Sequence, residues 1–418
     1  MANLPPKKNK IINDPIYGFI SINDPLILAV IDHPWFQRLR RIKQLGLTSF
    51  VYPGALHTRF HHAIGAMHLM NSCIDVLSSK GFAISADEKR AALLAILLHD
   101  IGHGPFSHAL EGVLIGNAHH EDISLLFISR LNEIFKGELS LAIEIFSDTC
   151  PRKFFHKLVS GQLDMDRLDY LRRDSFFTGV SEGIINSDRI ISMLSLVNDE
   201  PVVESKGIYS VEKFVVARRL MYWQVYLHKT VISAERLLVS VMKRAAQLLQ
   251  RGDNLFCVPA LRPFLCAEIS ADDLIGKPEA LAAFAMMDDD DVFASVKAWQ
   301  SHPDALLSFL ASSLVNRRLF CTEIMKSPPD TAYLHALRKD LLIQFPFAAD
   351  QPDFLLDSGV LSNNAYAMGE SGIKILYRNG DLLDLAAAAD QLNISVLSSP
   401  VEKYFLCYPK ELRNNIAR

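Results

Sequence analysis

Five histidine and aspartate residues that could bind a metal ion are crowded into one part of the sequence, and a sixth residue of this kind follows them. Imidazole and carboxylate together suit a divalent ion of intermediate hardness, so their close spacing predicts a buried metal site. A lone histidine on a helix is more often structural than a ligand, but this stretch contains an adjacent His-Asp pair. The six residues are His62, His99, Asp100, His103, His108 and, within LDMDRLDY, Asp166.

The adjacent pair His99-Asp100 lies where we expect a helix to end. Consecutive helical residues point about 100° apart, but at a helix end the backbone can turn both side chains toward one ion. Glycines at positions 102 and 104 supply such a break. With His62 and Asp166, the pair would offer two imidazoles and two carboxylates, which leaves coordination positions for water and for a phosphate oxygen.

A divalent ion held in this way lowers the pKa of its water and polarises a phosphoryl group. The minimal chemistry is therefore hydrolysis of a phosphate ester or anhydride. We expect one ion, and the ligand set does not choose among Mn, Fe, Mg, Ni and Zn. His103, His108 and His120 are candidates for proton transfer or for hydrogen bonds to phosphate oxygens.

Fixed positive charge near the ion would favour a polyphosphate substrate. The candidates are Arg59, Arg167, Arg218 and Lys229. Surface salt bridges are the alternative interpretation of each. Packing, ion pairing or solvent exposure is the expectation for the other nearby residues, which are Arg172, Arg173, Arg219, His57, His61, His68, His119 and His228.

Helices are the main elements that must position these residues. Apolar residues repeat with a helical period from Phe60 to Leu77, which places His62 on a helix. A capping-box pattern at Ser85 begins a helix that runs through the wholly apolar ALLAILL into His99-Asp100. Further helices are expected from Pro25, from Pro34 to a C-cap at Gly46, from His119-His120 to Phe135, and from Val211 to Leu249 as one helix or two.

The strands are short and lie near the two ends of the chain. They are a hairpin from Ile11 to Ile22, then DFLLD, IKILYRNGDLL around a turn at Asn379-Gly380, and KYFLCYP. The acidic run from Asp288 to Asp291 is interpreted as a solvated loop or a helix start. We predict a mainly α fold with four segments: 1–46 (N-terminal hairpin and helices), 47–250 (helical core with the metal motifs), 251–329 (helical extension) and 330–418 (smaller α+β appendage).

Composition excludes several classes of protein. The formal charge of −4 gives no global basic field for sequence-specific nucleic acid binding. The most apolar run, Ala91 to Leu98, is far shorter than the ~20 residues that span a bilayer, and the N-terminal MANLPPKKNK has no apolar leader. Six cysteines without CxxC pairing suggest reduced thiols. We therefore expect a cytoplasmic protein without a membrane partner.

Several longer motifs resemble a known family. The sequence is similar to HD-domain phosphohydrolases, and within them to the deoxynucleoside triphosphate triphosphohydrolase branch that includes the SAM-and-HD-domain dNTPase. The matching motifs lie in the family's order between residues 10 and 230 and are highly specific: NDPIYGFI, IDHPWFQRLRRIKQLG, HTRFHHAIG, HDIGHGPFSH, HHED, DMDRLDYLRRD and ARRLMYWQVYLHK.

The resemblance implies a role for each matching residue. The residues that would bind the metal are His62, His99, Asp100 and Asp166. His120 would transfer a proton, and His103 and His108 would lie beside the triphosphate. Phosphate contacts would come from Arg59, Arg167, Tyr170 and Arg218, sugar contacts from Tyr170 and Asp174, and 3′-hydroxyl binding with crowding of the 2′ position from Gln44 and Leu45. Arg167 stands where the family has lysine, so a planar fork replaces a point charge.

Regulated members of the family bind an activating nucleotide between subunits, which implies a homo-oligomer, either a dimer or a tetramer. The corresponding residues here are Lys10, Asp32, Gln37 and Arg40. Helix capping by Asp32 and a surface ion pair of Arg40 are the simpler alternatives.

Three functions remain open on the sequence. The first is hydrolysis of a dNTP to deoxynucleoside and inorganic triphosphate. The second is a phosphohydrolase of the same superfamily that acts on a nucleoside monophosphate, a cyclic nucleotide or an alarmone. The third is a nucleotide-binding regulatory protein without turnover.

Overall fold

The computed structural model describes residues 10–116, 119–390 and 394–413. Most of the regular structure in these ranges is helical, which confirms the mainly α prediction. The N-terminal residues 1–9, on which the expectation of no leader rested, lie outside them. The α-helices are α1 (Pro25–Asp32), α2 (Pro34–Gln37), α3 (Arg59–Ser79), α4 (Ala86–Leu98), α5 (His120–Ile134), α6 (Ser140–Phe146), α7 (Phe154–Val159), α8 (Met165–Thr178), α9 (Ser187–Ser192), α10 (Ile208–Met221), α11 (Lys229–Gln250), α12 (Arg262–Cys266), α13 (Ala271–Gly276), α14 (Pro278–Met286), α15 (Asp289–Trp299), α16 (Ala305–Val315), α17 (Thr331–Gln344) and α18 (Leu385–Ala388).

Nine short strands form three small sheets in the described part of the chain. The strands are β1 (Lys10–Asp14), β2 (Gly18–Ile22), β3 (Leu194–Val197), β4 (Glu200–Glu204), β5 (Cys321–Met325), β6 (Asp357–Asn363), β7 (Lys374–Leu376), β8 (Leu382–Asp384) and β9 (Val401–Tyr408). The sheet orders are β1-β2, β3-β4-β7-β8 and β5-β9-β6. None of the helices described is long and apolar enough to cross a lipid bilayer.

The two central helices form as predicted. Helix α3 is a 21-residue helix that packs against both α4 and α8. Helix α4 begins at a capping box in which Glu88 N–H donates to Ser85 Oγ and Ser85 N–H donates to the Glu88 carboxylate. Seven of its last eight residues are buried. The apolar run therefore delivers residues 99 and 100 into the interior.

The predicted helix from Pro34 to Gly46 is wrong beyond its first turns. Helix α2 ends at Gln37, a short 3₁₀ turn follows to Arg41, and the chain then becomes extended. Tertiary hydrogen bonds hold this extended segment: Arg59 N–H donates to Ile42 O at 2.9 Å. Gly46 is not a helix C-cap but opens another 3₁₀ turn with a φ of +48°. Tertiary contacts here override local helix propensity.

The predicted helical stretch from Val211 to Leu249 consists of two helices, which confirms the second of the two alternatives. A five-residue π-helical turn, Tyr222–Tyr226, ends α10, and His228 caps α11 by accepting from Thr230 N. Arg218 and Lys229 therefore lie on different helices. The π turn directs Tyr226 toward α8, where it meets Asp174.

The strand predictions are confirmed in part. The hairpins β1-β2 and β7-β8 occur, with the second turn at Asn379-Gly380, and KYFLCY of the predicted KYFLCYP lies in β9. DFLLD is wrong as a strand, because a 3₁₀ turn covers residues 352–354 and β6 begins only at Asp357. The β3-β4 hairpin was not predicted. Strand β4 pairs with β7 in parallel, so the C-terminal appendage shares a sheet with the predicted core.

The acidic run is a helix start, as one alternative held, but its first half is not solvated. Asp288 caps α15 by accepting from the N–H groups of Asp290 and Asp291. Asp288 and Asp289 are both buried, with 5% and 4% exposure. Buried carboxylates require partners, and both residues have them.

Candidate functional site

Four side chains from three helices converge at the centre of the core. His62 lies on the first turn of α3, His99 and Asp100 directly follow α4, and Asp166 lies in the first turn of α8. His62 Nε2 is 3.3 Å from His99 Nε2 and 3.0 Å from Asp166 Oδ1. Asp100 Oδ1 is 3.3 Å from His99 Nε2, and its Oδ2 is 3.7 Å from His62 Nε2.

The outer nitrogens of both imidazoles are fixed by the protein, which orients the inner nitrogens. His99 Nδ1 lies 2.6 Å from Ile96 O, and since a carbonyl only accepts, Nδ1 must donate. His62 Nδ1 lies 2.8 Å from the Asp169 carboxylate. Each Nε2 is then free to present a lone pair beside two carboxylates. An inward-facing set of two imidazole nitrogens and two carboxylates fits a divalent cation.

The pKa of His62 reflects the carboxylates that surround its ring. Burial lowers its pKa, but hydrogen bonds to Asp166 and Asp169 outweigh burial and raise the pKa to about 10. Burial would raise the pKa of Asp166, yet its hydrogen bonds to His62 and His99 hold it well below the usual value. The carboxylates thus require a positive partner, which is either a proton on imidazole or a metal ion.

A buried ion-pair network supports the metal-facing histidine. Asp169 accepts hydrogen bonds from Arg173 Nε at 2.9 Å and Nη2 at 3.0 Å, and Arg173 Nη1 donates to Asp14 at 2.8 Å. Arg173 is fully buried in ion pairs, one of the alternatives that the sequence left open. A Cβ at Gly65 would lie 2.1 Å from Asp169 Oδ1, so α3 needs glycine at this position.

Three further histidines form a second group beside the first. The rings of His103 and His120 stack with centroids 3.9 Å apart, and His103 Nε2 is 3.3 Å from Asp100 Oδ1. His108 is largely exposed, with its ring 5.4 Å from that of His120. This group connects the metal-binding candidates to solvent, which suits proton transfer.

Glu111, which the sequence reasoning missed, joins two of these histidines. Its carboxylate lies 3.1 Å from His120 Nδ1 and 2.9 Å from His108 Nδ1. Burial raises the pKa of Glu111, but these hydrogen bonds outweigh it and bring the pKa far below its usual value. Glu111 therefore stays ionised and orients both rings. The sequence offered one signal for Glu111, which is an acidic residue three positions after His108.

Two of the four predicted cations form ion pairs with aspartates. Arg59 forms an ion pair with Asp100, and its Nε donates to Ser107 Oγ at 2.9 Å. Arg167 pairs with Asp164, the N-cap of α8. Arg218 Nη1 lies 3.4 Å from Ala365 O, and its guanidinium lies 6.0 Å from the ring centroid of Tyr222. Lys229, at the start of α11, is exposed.

The residues implied for nucleoside binding adjoin the start of α3. Gln44 N–H donates to His57 O at 3.0 Å, and the Gln44 side-chain oxygen is buried without a hydrogen-bond partner among the described residues. Leu45 is half-buried beside it. Asp174 accepts from Tyr226 Oη at 2.7 Å and lies 2.7 Å from His57 Nε2. Tyr170 lies on the same helix, with its ring 6.2 Å from that of Tyr226.

The four residues implied for an activating nucleotide form two polar pairs. Lys10 Nζ is 2.7 Å from Asp32 Oδ1, and Arg40 Nε donates to Gln37 Oε1 at 2.8 Å. The Arg40 guanidinium also lies 3.5 Å above the ring of Phe60, next to Arg59. Asp32 does not cap a helix N-terminus but is the last residue of α1.

Comparison with known proteins gives related chains over nearly the whole length. A family model for the HD domain matches residues 59–173, and one for an HD associated region matches residues 185–255. The crystal structure of a phosphohydrolase from Bacteroides thetaiotaomicron VPI-5482 superposes with a TM-score of 0.93 at 48% identity, covering 96% of this chain and 100% of that one.

Two curated relatives extend this similarity. Uncharacterized protein YwfO of Bacillus subtilis is 31% identical over 97% of this chain and 93% of its own. The deoxynucleoside triphosphate triphosphohydrolase SAMHD1 homolog of Dictyostelium discoideum is 34% identical over 60% of this chain and 52% of its own. The chain belongs to the HD-domain phosphohydrolase superfamily, in the branch that resembles the deoxynucleoside triphosphate triphosphohydrolases.

Proposed function

We propose that this protein hydrolyses a dNTP to a deoxynucleoside and inorganic triphosphate, with one divalent ion held by His62, His99, Asp100 and Asp166. The observation that carries the proposal is the convergence of these four ligands beside the stacked rings of His103 and His120 and the guanidinium of Arg59. When bound, the ion would lower the pKa of a water molecule and polarise a phosphoryl oxygen.

The chain's own residues account for the movement of protons. Water attacks the α-phosphorus, the bond from that phosphorus to the 5′-oxygen breaks, and the 5′-oxygen takes up a proton. His120 is the proposed proton donor, because Glu111 fixes its Nδ1 and the Nε2 atom lies 3.4 Å from the exposed carboxylate of Glu121. His103, stacked on His120, and His108 would hydrogen-bond the triphosphate.

The arginines favour a long anion over a monophosphate. Arg59, Arg167 and Arg218 each have a planar fork that can bind phosphate oxygens in pairs. The Nε atoms of Arg167 and Arg218 are buried without hydrogen-bond partners in the described part of the chain. Three guanidinium groups provide more positive charge and more hydrogen-bond donors than a single phosphate group needs.

The preference for deoxyribose rests on Gln44 and Leu45. The unsatisfied side-chain oxygen of Gln44 can accept a hydrogen bond from a 3′-hydroxyl. Leu45, which follows it, would crowd the 2′ position, where an added hydroxyl would be buried without a partner. Tyr170 and Asp174 are proposed to complete the sugar site.

A second nucleotide and a homo-oligomer belong to the same proposal. The pair Lys10-Asp32 and the pair Gln37-Arg40 lie on the hairpin, on α1 and α2 and on the 3₁₀ turn that follows α2, just ahead of the segment that carries Gln44. A nucleotide bound there between subunits could order this segment. The proposed oligomer is a dimer or a tetramer.

The test is a product assay on the purified protein. Each dNTP and GTP is supplied singly and in pairs with Mn²⁺ or Mg²⁺, beside Asp100→Ala. Deoxynucleoside and one triphosphate per turnover, lost in Asp100→Ala, are expected. Release of pyrophosphate or single phosphates would contradict the proposal. Binding of a dNTP without turnover in any pair would favour the regulatory alternative, and turnover of a monophosphate or cyclic nucleotide the other enzyme.

A further inference from the structure

The carboxylate of Asp289 enters the candidate site from far along the chain. Its Oδ1 accepts from Phe106 N–H at 2.7 Å, and its Oδ2 accepts from Lys43 N–H at 2.9 Å. Asp289 begins α15, which lies outside both matched family regions. One side chain therefore joins two segments that are otherwise separate in sequence.

Both segments carry residues of the proposed reaction. Lys43 directly precedes Gln44 and Leu45, which are proposed to bind the sugar. Phe106 lies between His103 and His108 and directly precedes Ser107, which accepts from Arg59. The Asp289 carboxylate thus sets the position of the sugar-binding residues relative to the histidine loop.

The local backbone needs such support. Phe106 and Ser107 have φ values of 53° and 48°, a left-handed conformation that is unfavourable for a residue with a side chain. A Cβ on Gly46 would lie 3.5 Å from Phe106 O, so the two segments approach closely. Hydrogen bonds from outside the loop offset this strain.

Neighbouring contacts hold Asp289 itself in place. The buried guanidinium of Arg38 donates to Ile101 O at 2.8 Å and to Met287 O at 3.1 Å. Arg41 pairs with Asp288. Burial raises the pKa of Asp289 to about 6, although the two N–H groups lower it, so the carboxylate is ionised and accepts both bonds at neutral pH.

We propose that Asp289 is a positioning residue for catalysis, which holds the Gln44-Leu45 segment and the His103–His108 loop at the spacing that a deoxynucleotide requires. The inference rests on the proposed function, because it assigns the two segments to sugar and phosphate. It predicts that Asp289 acts on turnover and on sugar discrimination and leaves the metal ligands unaffected.

The test compares Asp289→Asn with Asp290→Asn. Both variants remove one negative charge from the first turn of α15, but Asp290 is exposed. In Asp289→Asn an amide N–H₂ would face one of the two backbone N–H groups, so one bond is lost. We expect kcat/KM for the dNTP and the preference for dNTP over NTP each to fall about tenfold or more, with unchanged Mn²⁺ content. Asp290→Asn should match the wild type in all three measurements.

A second readout does not depend on the substrate. Amide hydrogen exchange at Gln44 and Ser107 should accelerate in Asp289→Asn, even if the wild type hydrolyses no dNTP and the proposed function fails. Asp289→Glu, which keeps the charge, should give intermediate changes. Unchanged discrimination, or exchange that accelerates throughout the protein, would overturn the proposal. Failure of both Asp289 variants to fold while Asp290→Asn folds would assign Asp289 to stability alone and would also overturn it.

Discussion

The metal-binding candidates and the arginines beside them differ in how their charges are balanced. In the metal cluster, ligand atoms of His62, His99 and Asp166 lie within 4.8 Å of one another, and Asp100 adds a second carboxylate 3.3 Å from His99 Nε2, so acceptors are in excess. Arg59 and Arg167 are instead each neutralised by an aspartate. The metal half of the site, formed by His62, His99, Asp100 and Asp166, is prepared for a cation. The anion half, formed by Arg59 and Arg167, must exchange partners before it can hold an anion.

The two halves are connected through one residue pair. Arg59 is bonded to Asp100, which is itself a metal-ligand candidate. A cation that binds the Asp100 carboxylate would weaken the ion pair between Asp100 and Arg59, and a phosphate could then replace Asp100 as the partner of Arg59. This exchange would make metal binding and anion binding mutually supportive.

The largest expected effect comes from breaking the metal half. Asp166→Ala removes a carboxylate that contacts both His62 and His99. We expect loss of bound Mn²⁺ and a fall in turnover of about 1,000-fold or more, since the activated water would be lost. Metal analysis and the product assay measure both. The exposed Asp188→Ala is the control, and full activity of Asp166→Ala with no bound metal would refute the assignment.

Breaking the anion half should produce a smaller and different effect. Arg59→Gln removes a buried guanidinium from Asp100 and Ser107. Affinity for inorganic triphosphate, measured by calorimetry with Mn²⁺ present, should fall about 10- to 100-fold, as expected for one charge-assisted contact. Mn²⁺ affinity should not fall, because the cation no longer competes with Arg59.

A matched variant separates this effect from a general loss of positive charge. Arg130 forms an exposed pair with Glu133 on α5, away from the converging ligands. Arg130→Gln should leave both affinities unchanged. Equal losses of triphosphate affinity in the two variants would show that net charge, and not the contact at Asp100, controls anion binding.

The difference between the two halves also explains what the sequence could predict. The metal cluster uses residues from short motifs at helix ends, and the helix carrying His62 and the capping box at Ser85 both form as predicted. The partner of Arg59 is set by tertiary packing, because Asp100 lies 41 residues away, whereas Arg167 pairs locally with Asp164 in its own motif. The burial of Asp289 within the acidic run, which the sequence predicts as a solvated loop or a helix start, escapes local reasoning for the same reason: its two hydrogen-bond donors lie 246 and 183 residues away.

Misplaced elements have the same origin. The helix predicted through Gly46 stops early because Ile42 and Gln44 form backbone hydrogen bonds with residues 57–59. The β3-β4 hairpin was missed because strand β7, about 170 residues later, completes its sheet. Such long-range pairings lie beyond local propensity.

pH should affect the two halves unequally. The pKa of His62 is about 10, so without metal this imidazole retains a proton at neutral pH, and a metal ion must displace it. Apparent Mn²⁺ affinity should therefore rise about tenfold per pH unit between pH 7 and 9. Burial lowers the pKa of Arg167, but Asp164 outweighs it and raises the pKa above the usual value, so the guanidinium charge is constant over this range. Calorimetry at several pH values measures the slope, and a flat Mn²⁺ profile would contradict the protonated cluster.

The smallest effect on stability is expected where charges pair at the surface. Lys10 and Asp32 form an ion pair whose side chains are 41% and 62% exposed, so Asp32→Asn should change the unfolding free energy by less than about 1 kcal/mol. If a second nucleotide acts here, the same variant should abolish activation by GTP while basal turnover persists, since the pair contacts none of the converging metal ligands. Chemical denaturation and the paired-nucleotide assay provide the two measurements. Loss of stability together with normal activation would make Lys10-Asp32 a structural pair, and the proposed nucleotide site would then have to lie elsewhere.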